Sequence, residues 1–214
     1  MQSKLSDQEL ERNRFSTLDT LITHMMAMED DPLFNAGTNM VICRGNPAAK
    51  LMIVGEAPGT NENEQGKPFV GRSGQLLNQI LEMVHLNPDQ DVFVTNAVFR
   101  LPPGKDGKPL RKPTPAEIDW YQPYLLEIIR LINPKIILLT GGVSMRSVLN
   151  ETKLGITKMR GKWVEKDHHW IMPIFHPAYL LRNPSKKEGQ PKALTWEDIK
   201  EVRRKYDELG LGEN

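Results

Sequence analysis

Leu51-Met52-Ile53-Val54-Gly55-Glu56-Ala57-Pro58-Gly59 joins four consecutive apolar residues to a polar turn bracketed by glycines. The same construction recurs three times: Val92-Phe93-Val94 runs into Thr95-Asn96, Ile136-Ile137-Leu138-Leu139 into Thr140-Gly141-Gly142, and Ile171-Met172-Pro173-Ile174-Phe175 into His176-Pro177. Runs this apolar, separated by helical patterns, read as parallel strands buried on both faces. The carboxyl ends of such strands open into a shared crevice where ligands bind. The expected fold is α/β, three layers in the order α/β/α around a central four-stranded parallel sheet. One site is expected from all four strand ends.

The flanking sequence supplies the helices. Leu10, Phe15, Leu18, Leu21, Ile22, Met25 and Met26 recur at roughly helical spacing, which predicts an amphipathic helix over residues 7–28 within a helical extension of about residues 1–45. Leu76, Leu77, Ile80, Leu81 and Val84 mark one buried helical face behind Gly71 to Gly74. Thr114-Pro115-Ala116-Glu117 has a capping residue, proline at the first helical position and a glutamate placed for a capping box, so a helix is expected to about Leu131 before Asn133-Pro134 stops it. Thr195-Trp196-Glu197-Asp198 predicts a second such start, with its helix ended by Gly210. Leu101 to Lys112 and Arg182 to Lys192, rich in proline, glycine and cationic residues, are expected as loops.

The 214 residues are expected to fold as one domain. A formal net charge of +1 gives no global attraction to nucleic acid, so such contact must come from local clusters. Lys105, Lys108, Arg111 and Lys112 form one, and Lys186, Lys187 and Lys192 another. Cys43, the single cysteine, excludes an internal disulfide and any all-cysteine metal site. The amino terminus lacks the apolar core of a signal peptide, and no run approaches the ~20 apolar residues of a membrane span. A cytoplasmic monomer without a membrane partner is expected.

The segment from Gly55 to Gly71 invites a phosphate-loop reading that fails on spacing. Six residues rather than four separate Gly59 from Gly66, and Pro68 stands where the motif needs Ser or Thr. Glu56, Glu62 and Glu64 would repel phosphate; acidic residues at a strand's carboxyl end better suit water activation or cation stabilisation.

Gly55-Glu56-Ala57-Pro58-Gly59 followed by Glu62, then Gly66-Lys67-Pro68-Phe69-Val70-Gly71-Arg72-Ser73-Gly74-Gln75-Leu76-Leu77, resembles the first motif and following helix of the uracil-DNA glycosylase superfamily, most closely its family 4. Thr95-Asn96, Pro102-Pro103, Pro134-Lys135-Ile136-Ile137, Arg160-Gly161 and His176-Pro177-Ala178-Tyr179-Leu180-Leu181-Arg182 continue the resemblance in order, over roughly residues 45–205. It implies removal of uracil, or of other deaminated bases, from single- or double-stranded DNA by hydrolysis of the N-glycosidic bond, leaving an abasic site. That reaction builds positive charge on the sugar and negative charge on the departing base, so a good site presents an anion near one and donors near the other.

Under the resemblance Glu62 is the water-activating or cation-stabilising carboxylate and His176 contacts the developing oxyanion; a solvated loop glutamate and a structural histidine are the plain alternatives. Asn96 offers a donor and an acceptor to uracil's imide edge. Phe69 matches the aromatic on which the extruded base stacks, with Glu56 and Ala57 beside it. Ser73, Gly74, Pro102, Lys105, Leu181 and Arg182 are expected to meet DNA, with Leu181 as the wedge that offsets unpairing and Arg182 on a phosphate. A non-catalytic binder of uracil or damaged DNA on the same fold is the alternative function.

Family 4 enzymes resemble one another in an iron-sulfur cluster on four cysteines, two near the amino terminus, one before the Pro-Pro pair and one in the helix after it. This chain carries Arg100 and Tyr121 at the two later positions, so no cluster and no other metal is expected. Trp120, Tyr121 and Tyr124, with an amino-terminal helix, are expected to pack that region by apolar burial.

Overall fold

Leu51–Gly55, buried at every position, form strand β2, and the rest of the molecule is arranged around it. The computed structural model describes residues 15–104 and 110–212. β2 pairs in parallel with β3 (Val92–Asn96) on one side and β4 (Ile136–Thr140) on the other, and β4 pairs in parallel with β6 (His169–Ile174). These are the four runs read from the sequence. The sheet has six strands rather than four, in the order β1-β3-β2-β4-β6-β5. The additions are the antiparallel edges β1 (Cys43–Gly45) and β5 (Val164–Lys166), three residues each. Cys-Arg-Gly and Val-Glu-Lys are too short and too polar to carry a strand pattern, and short charged edges resist pairing with other sheets.

Alternation along the strands divides the apolar residues between two faces. Met52, Val54, Phe93, Ile137 and Leu139 pack beneath α1 (Leu18–Met26), α4 (Pro115–Ile132) and α5 (Gly142–Leu149). Leu51, Ile53, Val94, Leu138 and Met172 face α3 (Arg72–Glu82) and α8 (Pro191–Glu208). Three short helices complete the chain: α2 (Thr60–Gln65), α6 (Ile156–Met159) and α7 (Pro177–Arg182).

Three boundaries differ from the sequence reading. Residues 7–14 lie outside the described residues, and α1 begins only at Leu18, because the Thr17 and Thr20 hydroxyls cap each other's backbone N–H groups. The helical extension does not continue to residue 45: α1 stops at Ala27, a single 3-10 turn follows over Phe34–Ala36, and the chain then joins the sheet as β1. α8 starts at Pro191 rather than at Thr195, whose hydroxyl donates back to the Pro191 carbonyl at 2.8 Å instead of capping a new helix. α4 opens on its capping box as expected, with the Thr114 Oγ accepting from Glu117 N.

Candidate active site

The carboxyl ends of the four parallel strands meet around one open cleft of about 810 Å³. Glu56 and Ala57 follow β2, Asn96 ends β3, Gly141 and Gly142 follow β4, and Phe175 and His176 follow β6; all line the cleft. Strand order reverses between β3-β2 and β4-β6, which is where an open α/β sheet offers a crevice.

Phe69, in the segment between α2 and α3, is 7% exposed and reaches under this rim. Its φ of 55° is left-handed, an uncommon conformation for an aromatic residue that its surroundings must impose. Two glycines permit it: a Cβ on Gly74 would collide with the Phe69 backbone carbonyl, and one on Gly55 with the Phe69 ring and Asn96 Oδ1. Gly74 is therefore buried beneath Phe69, not presented to solvent, so its assignment to DNA contact gives way to a packing role.

Glu62 ties the same segment down. Its carboxylate accepts backbone N–H groups from Gly59 at 3.1 Å, Val70 at 3.0 Å and Gly71 at 2.7 Å, closing the start of α2 onto the residues that follow Phe69. Glu62 lines the cleft with most of its acceptor capacity already engaged. Glu56 differs: among the described residues nothing donates to its carboxylate. Burial raises its pKa above the ordinary carboxylate value, with Lys112 and Arg182 pulling the other way.

The Nδ1 of His176 accepts Ala178 N–H at 3.1 Å, which leaves Nε2 as the protonated nitrogen of the neutral ring. Burial above all, with Lys112 and Arg182 adding to it, lowers this pKa to about 4, so the ring is neutral at physiological pH. Asn96 is 2% exposed, yet no described residue bonds its carboxamide, whose donor and acceptor are left to the cleft. An amide open to the cleft and a neutral N–H donor lining the same cleft suit a ligand edge carrying both a carbonyl and an imide N–H.

Pro102, Ser73 and Arg182, read from the sequence as DNA contacts, also line the cleft, and Lys105 and Lys108 lie outside the described residues. Leu181 is half-buried on α7 and absent from the cleft wall; Leu180 is fully packed, and the exposed apolar groups of the cleft wall include Tyr179, 39% accessible, and Leu110, 38%. Successive residues of a helix point about 100° apart, so which of these three neighbours faces the cleft depends on knowing that α7 exists, and the six-residue stretch carries too little periodicity to reveal it. Arg72 and Lys112 reach the cleft as well, and Lys112 sits close enough to influence both Glu56 and His176. Arg160-Gly161 serves the fold instead: Arg160 pairs with Asp198 of α8, and Gly161 N donates to the Pro173 carbonyl at 2.9 Å.

A family model described as the uracil DNA glycosylase superfamily matches residues 43–200. The chain is 38% identical over 195 residues to the Type-4 uracil-DNA glycosylase of Sulfurisphaera tokodaii, covering 87% of this chain and 84% of that protein. It is 35% identical over 177 residues to the Type-4 uracil-DNA glycosylase of Thermotoga maritima, covering 80% and 85%. For the Archaeoglobus fulgidus protein of the same name the identity is 32% over 180 residues, covering 80% and 87%.

Proposed function

The chain belongs to the uracil DNA glycosylase superfamily, and from that premise we propose that it excises uracil from DNA through the cleft at the strand ends. The observation that carries this reading is the pairing of the unpartnered Asn96 amide with the neutral His176 ring in one cleft. Asn96 reads the imide edge of an extruded uracil, Phe69 supports its face, and the His176 Nε2–H donates to the carbonyl oxygen on which charge accumulates. As the bond from C1′ to N1 breaks, its electron pair leaves with the base. Water bonds to C1′ and loses a proton, and the base anion is protonated, giving free uracil and an abasic site.

A neutral histidine suits this step, because it stabilises the anion without bringing a second full charge into a buried site. The two glutamates divide the remaining work. Glu62, fixed by three backbone N–H groups, holds its charge in place for the oxocarbenium-like sugar and keeps the Phe69 segment in position. Glu56, free of such bonds, is the carboxylate with capacity left to orient the attacking water. At the mouth Arg182, Lys112, Arg72 and Ser73 meet the phosphates, and Tyr179 faces the gap that an extruded nucleotide leaves.

The engaged state of Glu62 also favours the second reading, a protein that captures uracil-containing DNA without turnover. A single-turnover assay on an oligonucleotide with one uracil separates the two: strand breakage after alkali at the uracil position supports excision, whereas retarded mobility with an intact strand supports the binder. Hypoxanthine, xanthine and thymine mispairs in the same format define the range of bases accepted.

A further inference from the structure

The cluster that the family 4 resemblance implies does not fit the residues present. Four thiolates are needed, and the chain has one cysteine, Cys43, on the edge strand β1, whose thiol is pushed up to about 11 by burial and then by Asp19. Arg100 and Tyr121, at the two later ligand positions, are turned instead onto one carboxylate. Arg100 Nε donates to Asp31 Oδ2 at 2.5 Å, and the Tyr121 hydroxyl donates to Asp31 Oδ1. Leu33 N donates to that same oxygen at 2.8 Å, and a terminal guanidinium nitrogen of Arg100 donates to the Thr38 carbonyl. The Asp31 side chain is 0% exposed and that of Arg100 9%, while Phe99 and Trp120 pack edge-on against Tyr121.

The partners flank residues 101–104 and 110–112. Arg100 directly precedes Leu101 and Pro102, both in the cleft wall. At the far end Arg111 and Lys112 line the cleft, and Arg111 is held by a two-pronged ion pair to Glu117, one helical turn before Tyr121 on α4. We infer that Asp31 is a polar clasp that joins Arg100, which directly precedes Leu101 and Pro102, to α4 through Tyr121, and so positions Pro102 and Lys112 against DNA without a cluster. Expected packing by Tyr121 and Tyr124 is present, but apolar contact fixes no register. A buried carboxylate with three directed donors does, because any slip strands a charge away from water.

The activity side of this inference rests on the glycosylase reading; affinity and melting do not, so the test uses the full chain and reads those first. Asp31→Asn keeps the shape and removes the charge. It is expected to lower Tm by roughly 10 °C and, at a temperature where the variant is fully folded, to raise Kd for a uracil-containing duplex several-fold while kcat at saturating DNA stays within about twofold of the parent. The double variant Asp31→Leu with Arg100→Met, which replaces the pair by apolar groups, is expected to recover Tm but not Kd. If Asp31→Asn does not fold, Tyr121→Phe, which removes one bond and leaves the ion pair, is expected to raise Kd in the same direction. Stoichiometric iron and sulfide in the purified parent, or unchanged duplex Kd in a folded Asp31→Asn or Tyr121→Phe variant, overturns the inference.

Discussion

Phe69 and His176 lie face to face at the floor of the cleft, ring centroids 5.9 Å apart and planes inclined by 27°. Rings at this separation are in direct contact, so the pair forms one continuous wall with no room for a base between its members. A uracil stacked on the part of the Phe69 face that this offset leaves uncovered lies beside the His176 ring and meets its N–H at the rim, in the plane where the uracil carbonyls lie. Stacking of this kind contributes ~1–3 kcal/mol. Phe69→Ala is expected to lower kcat/KM for uracil excision by roughly 5- to 150-fold, with an unchanged circular dichroism spectrum. Full activity in Phe69→Ala would remove the base from this wall.

The His176 ring should titrate near pH 4, well below the ordinary 6.5. Nitrogen NMR on selectively labelled protein is expected to show the Nε2-protonated neutral tautomer at pH 6, and excision at that pH should show no loss traceable to this ring. The stability consequence has a definite sign. The unfolded chain binds this proton before the folded one does, so the contribution is complete above pH 6.5 and is withdrawn as the pH falls from there toward 4. Melting curves of the parent and His176→Gln should converge over that interval; an imidazolium at pH 6 would refute the assigned donor.

Glu62 and Glu56 should separate by what each variant disturbs. Glu62→Gln turns an amide donor toward backbone N–H groups that need acceptors, so both Tm and excision should fall, Tm by several degrees and the rate by at least 10-fold, given that an unsatisfied buried donor costs about 1–3 kcal/mol. Glu56→Gln breaks no hydrogen bond among the described residues and removes a charge that burial disfavours, so at neutral pH it should leave Tm unchanged or slightly raised while slowing the chemical step. A Glu56→Gln enzyme with parental single-turnover rates would return the water-orienting role to Glu62.

At the mouth, Tyr179→Ala should slow excision from duplex DNA while leaving single-stranded substrate nearly unaffected, because only the duplex requires the vacated stack to be filled. Leu181→Ala, off the cleft wall, should show no such selectivity. Arg182→Ala and Lys112→Ala should each reduce the slope of log affinity against log salt by about 1, as expected when one phosphate contact is lost. Equal duplex-to-single-strand ratios in Tyr179→Ala and the parent would leave the gap to another residue.

The four parallel strands, α3 and the capping box of α4 were legible because each is written in neighbouring residues: an apolar run, a 3.6-residue stripe, a Thr-Pro-x-Glu start. Thr60–Gln65 was not, since its six polar residues have no apolar face and the helix is held by the Glu62 side chain and tertiary context. Glu62, Phe69 and His176 could be named through the family resemblance and Asn96 from its place at a strand end, and the fold brings all four to one cleft. Their hydrogen-bond states could not be named, because the partners of Glu62 are settled only once the backbone of Val70 and Gly71 turns back on it. Asp31 was invisible for a related reason: its two side-chain partners lie 69 and 90 residues away along the chain.

Glu56, Asn96 and His176 sit at the ends of three parallel strands, whereas Glu62 and Phe69 reach the cleft from the segment between β2 and α3. The strand-end groups share the stability of the sheet, and the three bonds of Glu62 fasten the remaining pair to it, so in a denaturant titration loss of excision should follow the same sigmoid as loss of the tryptophan signal. Activity in this molecule reports the cooperativity of the whole sheet.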